Sequence, residues 1–146
     1  MTVGLLLAQV AATLFMTGVI WIIQCVHYPL FARVGEDGFG AYARRHQRVI
    51  APVVVPVMAV ELGTAVLLLF SAPAGIEQSL LVAGAILLLP IWLSTALVQV
   101  PVHRRLATGF DDRAVTRLVR TNWVRTSLWS ARSVLVLVVL RQAIER

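Results

Sequence analysis

Four long apolar stretches dominate the amino-acid sequence, at residues 3–31, 50–70, 78–100 and 123–140. Each reaches or approaches the ~20 residues that an α-helix needs to cross the hydrocarbon core of a bilayer. Only 14% of the chain is charged and 59% is hydrophobic, whereas a soluble domain is about 25% charged and about 45–50% apolar. A domain of this size could not bury so much apolar surface in water. The sequence therefore predicts an all-α fold, a four-helix transmembrane bundle in which residues 1–146 form a single membrane domain.

Arginine is distributed unevenly between the connections. All 13 basic residues are arginine, which is typical of a GC-rich bacterial genome. The connections at 32–49 and 102–121 hold nine of them, and the short turn at 71–77 holds none. Cytoplasmic loops of membrane proteins carry an excess of Lys and Arg. We therefore predict a multi-pass protein of the cell inner membrane, with both long connections in the cytoplasm and both termini outside.

The two Arg-rich connections are predicted to be helical as well. In the first, aromatic and apolar residues recur on one helical face, at Phe39, Tyr42, His46 and Val49. In the second, Asp111–Asp112 is a candidate N-cap ahead of a similar face. We expect short amphipathic helices at the cytoplasmic interface, or extensions of the second and fourth spans.

Glu61 and Arg132 are charged residues inside predicted spans, where polar groups are costly and are candidates for function. Counted from the starts of their spans, both lie about 15–16 Å into the membrane at ~1.5 Å per residue. An ion pair between them would lock the second span to the fourth, and Arg125 is the alternative partner for Glu61. The other interpretation is that Glu61 is a catalytic base or a metal ligand.

Histidine is confined to the predicted cytoplasmic end of the bundle. The chain has three histidines, His27, His46 and His103, and neutral imidazole is the commonest metal ligand. With Glu61 they could bind a transition metal, and His27 and His103, which end parallel spans, could bracket a haem. No spacing among them is a recognised metal motif, so interfacial histidines without a ligand are the alternative. We take Glu61 and His46 as candidate catalytic residues, and His27 and His103 as candidate metal ligands.

The fourth span has a cationic and aromatic face. Asn122, Arg125, Trp129 and Arg132 follow one another at i, i+3, i+7 and i+10, which places them on one side of a helix. The planar guanidinium of arginine suits carboxylate, phosphate and quinone-type oxygens. These residues are therefore predicted to bind a small anionic or quinone-like ligand. Simple snorkelling to the interface explains Arg125 well and Arg132 poorly.

The first and third spans end in a similar way, which indicates a faint internal repeat. The shared residue types are a glutamine, a histidine and a proline, at Gln24, His27 and Pro29 and at Gln99, His103 and Pro101. Gln24 and Gln99 lie at the same predicted depth as the Arg125 face, so they join the candidate ligand-binding residues. Hydrogen bonding between helices is the alternative interpretation of such intramembrane amides.

Features spread over most of the chain carry a family resemblance. They are the run His27–Tyr28–Pro29, the stretch 42–48 with His46, the stretch 56–61 ending in Glu61, and Asn122–Trp123 with Arg125 and Arg132. In these features the chain resembles the small bacterial four-span membrane proteins grouped with anthrone oxygenase-like proteins. The resemblance implies a cofactor-independent or metal-assisted oxidation of a polyphenolic or quinone-like substrate. It matches no defined catalytic motif, so it assigns no residue a catalytic role.

Two classes of function follow from these observations. The first is a small membrane enzyme, such as an oxidoreductase, or a ligand-binding protein that uses a polar cavity near the cytoplasmic side. The second is an accessory structural subunit of a larger membrane complex or a homo-oligomer. Charged residues at mid-depth favour the first class, and the short chain favours the second. The net charge of +6 does not indicate that the protein binds nucleic acid. The basic residues lie beside apolar spans, as they do in proteins of the lipid bilayer.

Overall fold

The computed structural model of the protein describes residues 2–145. That part of the chain contains four long helices and no strand. The helices are α1 (2–31), α2 (Phe39–Phe70), α3 (Gln78–Leu106) and α4 (Asp112–Ile144). All four are long and apolar enough to cross a membrane. The predicted all-α, four-helix transmembrane bundle is confirmed.

The helices extend beyond the apolar stretches of the sequence. α2 and α4 contain 32 and 33 residues, so each is about 48–50 Å long, whereas the hydrocarbon core of a bilayer is only about 30 Å thick. The amphipathic, Arg-rich stretches are the first turns of α2 and α4, so they extend the spans and do not form separate helices. The helices begin before residues 50 and 123, because backbone hydrogen bonding continues through polar turns that hydropathy excludes, and the bounds of the membrane spans within them stay a prediction.

Glycine and aspartate define where α2 and α4 begin. Gly38 has a φ of 80° directly before α2, a left-handed conformation that other residues rarely adopt. Before α4, Asp111 Oδ1 accepts a hydrogen bond from the Ala114 N–H at 3.0 Å, which confirms the N-cap expected there. The same carboxylate accepts a hydrogen bond from Arg105 Nε at 2.5 Å, so it also ties the end of α3 to the start of α4.

The helices alternate in direction, and each packs against two neighbours. α1 and α3 each contact both α2 and α4. One apolar core lies toward the Arg-rich ends and includes Met16, Phe31 and Phe39. A smaller core at the other end includes Leu6 and Leu68. The buried polar residues lie beside and between these two cores.

α1 and α3 share an irregularity near the same end of the bundle. Each contains one π-helical turn, at Ile23–His27 in α1 and at Thr95–Gln99 in α3. Each turn is followed within two residues by a proline, which cannot donate a backbone hydrogen bond. The π turns, which often occur at functional sites, include Gln24 and Gln99, and both glutamines are buried. The faint sequence repeat therefore corresponds to a shared backbone feature.

Candidate ligand-binding cavity

A cavity of about 250 Å³ lies between the helices, in the half of the bundle that carries the Arg-rich ends. All four helices contribute to its wall. Met16, Ile20 and Met58 form its apolar part, farther from the Arg-rich ends. Its polar lining includes Tyr28, His46, Gln47, Gln99, His103 and Arg125. The cavity therefore has a polar end and an apolar end.

The histidines at the polar end are held by hydrogen bonds to other rings. His46 Nδ1 and His27 Nε2 lie 2.8 Å apart, and His103 Nε2 lies 2.9 Å from the Tyr28 hydroxyl. These two bonds leave Nε2 of His46 and Nδ1 of His103 without a ring partner. Since both rings line the cavity, each has one nitrogen that can serve a ligand as donor or acceptor, according to its tautomer.

Two arginines line the described cavity wall, and of these Arg125 is buried, at 6% exposure, whereas Arg104 is exposed. The Arg125 guanidinium lies 5.2 Å from the Trp129 ring centroid, in a cation–π contact, and Nη1 donates to Asn122 Oδ1 at 3.2 Å. Asn122 in turn donates to Gln24 Oε1 at 2.9 Å. Among residues 2–145, the arginines that form ion pairs with a carboxylate are Arg105, Arg132 and Arg141. Arg125 is thus a buried cation whose contacts include no carboxylate of the described chain.

Several polar atoms in the cavity wall have no hydrogen-bond partner in the described chain. They are Gln99 Oε1, His103 Nδ1 and Arg125 Nε. Buried polar groups are almost always hydrogen-bonded, and an unpaired one costs about 1–3 kcal/mol. Three such atoms in one wall are therefore groups that a ligand or ordered water would satisfy.

A second polar cluster lies deeper in the bundle, around Glu61. Glu61 and Arg132 are each 1% exposed, and Arg132 Nε donates to Glu61 Oε1 at 2.9 Å. Thr13 Oγ1 donates to the same oxygen at 2.8 Å, and Trp129 Nε1 donates to Oε2 at 3.0 Å. Arg132 Nη1 also donates to the carbonyl of Gly84. The predicted pair between Glu61 and Arg132 is confirmed, and it ties α2 to α4.

The Glu61 cluster is separate from the cavity, and Glu61 does not line the cavity wall. Its carboxylate accepts hydrogen bonds from Thr13 of α1 and from two residues of α4, so its oxygens are already committed. Glu61 therefore does not share the cavity with His46 and His103, as a metal site built from Glu61 and the histidines would require. Its catalytic role stays a prediction that this geometry does not support.

The other candidate residues fall into three groups. Four of them line the cavity: His46, Gln99, His103 and Arg125. A second group lies behind the wall and contacts those four directly or through one another: Gln24, His27, Asn122 and Trp129. Arg132 belongs to the deeper cluster with Glu61. The predicted ligand-binding face of α4 is thus divided, with Arg125 at the cavity and Arg132 outside it.

The three histidines are close together, yet they do not form a metal centre. The His46 ring centroid lies 4.5 Å from that of His27 and 5.6 Å from that of His103. Within residues 2–145, no group of three or more His, Cys, Asp or Glu side chains is arranged to hold a metal ion. A haem bracketed by His27 and His103 would also have to displace the His46 ring, which packs against both. The described side chains therefore give no support to a transition-metal or haem site, and the role of His27 and His103 as metal ligands stays a prediction.

Two sets of functional candidates were not identified in the sequence. Tyr28 is 3% exposed, and its hydroxyl positions His103. Tyr28 lies in an apolar run of the sequence, where an aromatic residue is expected to pack in the core. Gln9 and Thr13 supply the deeper cluster from α1, with Gln9 donating to Thr13 at 3.2 Å. Gln9, Thr13 and Thr17 recur at i, i+4 and i+8, a polar stripe that predicts an inward face on the first span.

Comparisons with protein-family models, with curated proteins and with solved structures give no match for this chain. The resemblance to anthrone oxygenase-like proteins therefore stays a prediction. The geometry and charge of the cavity are therefore the evidence for function.

Proposed function

We propose that this protein binds a small anionic or quinone-like ligand in the cavity, with Arg125 as the principal contact to the ligand's oxygen. The observation that carries the proposal is the burial of Arg125, at 6% exposure, with no carboxylate partner in residues 2–145. A buried, uncompensated charge is strongly unfavourable. An anion, or a quinone carbonyl that accepts a charge-assisted hydrogen bond, would offset that cost.

The neighbours of Arg125 support the same class of ligand. Asn122 accepts a hydrogen bond from the guanidinium, and the guanidinium lies over the Trp129 ring. Gln99 Oε1 needs a donor, so it suits a hydroxyl or a protonated acid on the ligand. His103 Nδ1 can complete the contacts to a second oxygen. The charge and the lining of the cavity thus favour the binding of a ligand.

The test is a binding titration of the purified protein in lipid nanodiscs. The probes are decanoate, for the carboxylate head, and decylubiquinone, for the quinone head, with isothermal titration calorimetry as the measurement. Arg125→Gln removes a charge-assisted hydrogen bond worth about 1.5–3 kcal/mol, so affinity should fall roughly 10- to 100-fold. Arg120→Gln, on the same helix but exposed, is the matched control and should bind as the unaltered protein does. Binding that survives Arg125→Gln unchanged, or no binding of either probe, would refute the proposal.

We also propose that the protein lies in the bacterial inner membrane with both termini outside and the Arg-rich ends in the cytoplasm. The support is the concentration of arginine at one end of the four helices. Single cysteines at positions 37 and 78, in a Cys25→Ser background, can be labelled from either side of the membrane. We expect position 78 to react with an impermeant maleimide in intact spheroplasts and position 37 to react only after lysis. The reverse pattern would invert the topology.

A further inference from the structure

The cavity opens sideways, between α2 and α3. Ala51 and Val55 of α2 and Val100 and Arg104 of α3 line the cavity and are also exposed on the outer surface of the bundle. Val55 is 55% exposed and Val100 is 38% exposed. Of the neighbouring helix pairs, α2 and α3 pack together least. The opening is therefore apolar at Ala51, Val55 and Val100, where a transmembrane bundle contacts lipid chains, and Arg104 lies at its end nearest the Arg-rich ends of the helices.

The size of the cavity restricts what can be enclosed in it. Its volume of about 250 Å³ is below the range of about 300–1,000 Å³ that is usual for pockets enclosing a drug-sized ligand. A compact head group fits such a volume, and any longer part of the molecule must leave through the opening. The polar end of the cavity holds Arg125 and His103, with Arg104 exposed beside it. The rest of the edge of the opening is aliphatic, at Val55 and Val100, which suits a hydrocarbon chain.

We infer that the ligand is a membrane-resident amphiphile with a single apolar chain. Its compact oxygen-bearing head, a carboxylate or a quinone, binds at Arg125, and its chain passes between Val55 and Val100 into the bilayer. The inference rests on the proposed function, since it specifies the ligand of that same cavity. It adds the route of entry and the place of the chain, neither of which follows from the charge of Arg125.

The experiment compares probes that share a head and differ in the chain. Decanoate is paired with propionate, and decylubiquinone with its chainless parent quinone, in nanodiscs that contain the full-length protein. Val55→Trp narrows the opening, and Val66→Trp, on the same helix at 43% exposure but outside the cavity wall, is the matched control. We expect Val55→Trp to weaken the chained probes by about tenfold or more, or ~1.4 kcal/mol, and to leave the chainless probes unchanged. Val66→Trp should change neither.

A photoreactive probe gives a second measurement that needs no variant. Decanoate with a diazirine on its chain should label the opening, at residues such as Ala51, Val55 and Val100, and excess unlabelled decanoate should suppress that labelling. If Val55→Trp weakens chained and chainless probes alike, this label distribution decides the matter. Labelling spread over all lipid-facing helices without competition would overturn the inference.

The outcomes separate this inference from the proposed function. Chained probes that bind Val55→Trp as tightly as the unaltered protein would overturn the lateral route and leave the role of Arg125 intact. Failure of every probe to bind, or indifference to Arg125→Gln, would refute the proposed function itself and the inference with it.

Discussion

Replacing Glu61 and Arg132 by leucine, singly and together, tests how the deeper cluster stabilises the bundle. Both side chains are 1% exposed and are joined by a bond of 2.9 Å, so neither charge can turn toward water when its partner is removed. Removing one partner of a buried ion pair costs about 3–5 kcal/mol, because the other charge is left uncompensated. Each single variant should therefore be destabilised by about that amount.

The double variant should be more stable than the sum of the two losses predicts. Replacing a buried ion pair by apolar residues is often close to neutral. Here the Thr13 hydroxyl, the Trp129 indole N–H and the Gly84 carbonyl also lose a partner. The double variant therefore keeps part of the loss of stability, about 1–3 kcal/mol for each group left unpaired. The expected coupling between the two positions is about 3 kcal/mol, at the upper end of measured values.

The measurement is reversible unfolding by SDS in mixed micelles, followed by circular dichroism, for the complete double-mutant cycle. Arg141 and Glu145 supply a matched control pair, since they are bonded at 2.6 Å but are 75% and 57% exposed. Their cycle should give a coupling of only about 0.3–0.5 kcal/mol. Additivity within about 0.5 kcal/mol at Glu61 and Arg132 would show that the two do not interact and would refute the reasoning.

Two further predictions concern α4. The pKa of Asp111 is held below its usual value of 3.8, first by the hydrogen bond from the Ala114 N–H and also by Arg105. Because the folded-state pKa is lowered, the stabilisation is complete above about pH 4 and is lost as the pH falls through the folded-state value. A pH series of melting temperatures should therefore show a shallower acid limb for Asp111→Asn, and superimposable acid limbs would contradict this. Asn122→Ala removes the acceptor of Arg125 Nη1 and should lower the free energy of unfolding by about 1–3 kcal/mol in the same SDS assay. The control Ser127→Ala, at an exposed position, should lower it by less than about 0.5 kcal/mol. Equal losses of stability would show that Asn122 does not support Arg125.

The amino-acid sequence by itself determines the class of fold. Four apolar stretches of this length favour a place in the bilayer. Lipid offers no partner for their backbone N–H and C=O groups, so each stretch must form a helix that satisfies those groups internally. The same reasoning finds the pair of Glu61 and Arg132, since two opposite charges at equal depth in the second and fourth spans compensate each other. The Asp111 cap is also local, because the capping residue and its acceptor site lie within one turn.

Only the tertiary structure decided which polar residues share a site. Arg125 and Arg132 lie on the same face of α4, yet Arg125 lines the cavity and Arg132 pairs with Glu61 outside it. Helical periodicity gives the direction in which a side chain points, but not the residues that meet it from another helix. Those neighbours depend on the rotation and depth of α1, α2 and α3, which place Thr13 at Glu61 and Tyr28 at His103. The opening between α2 and α3 has the same origin, because it arises from how closely two helices pack and from no residue of either one alone.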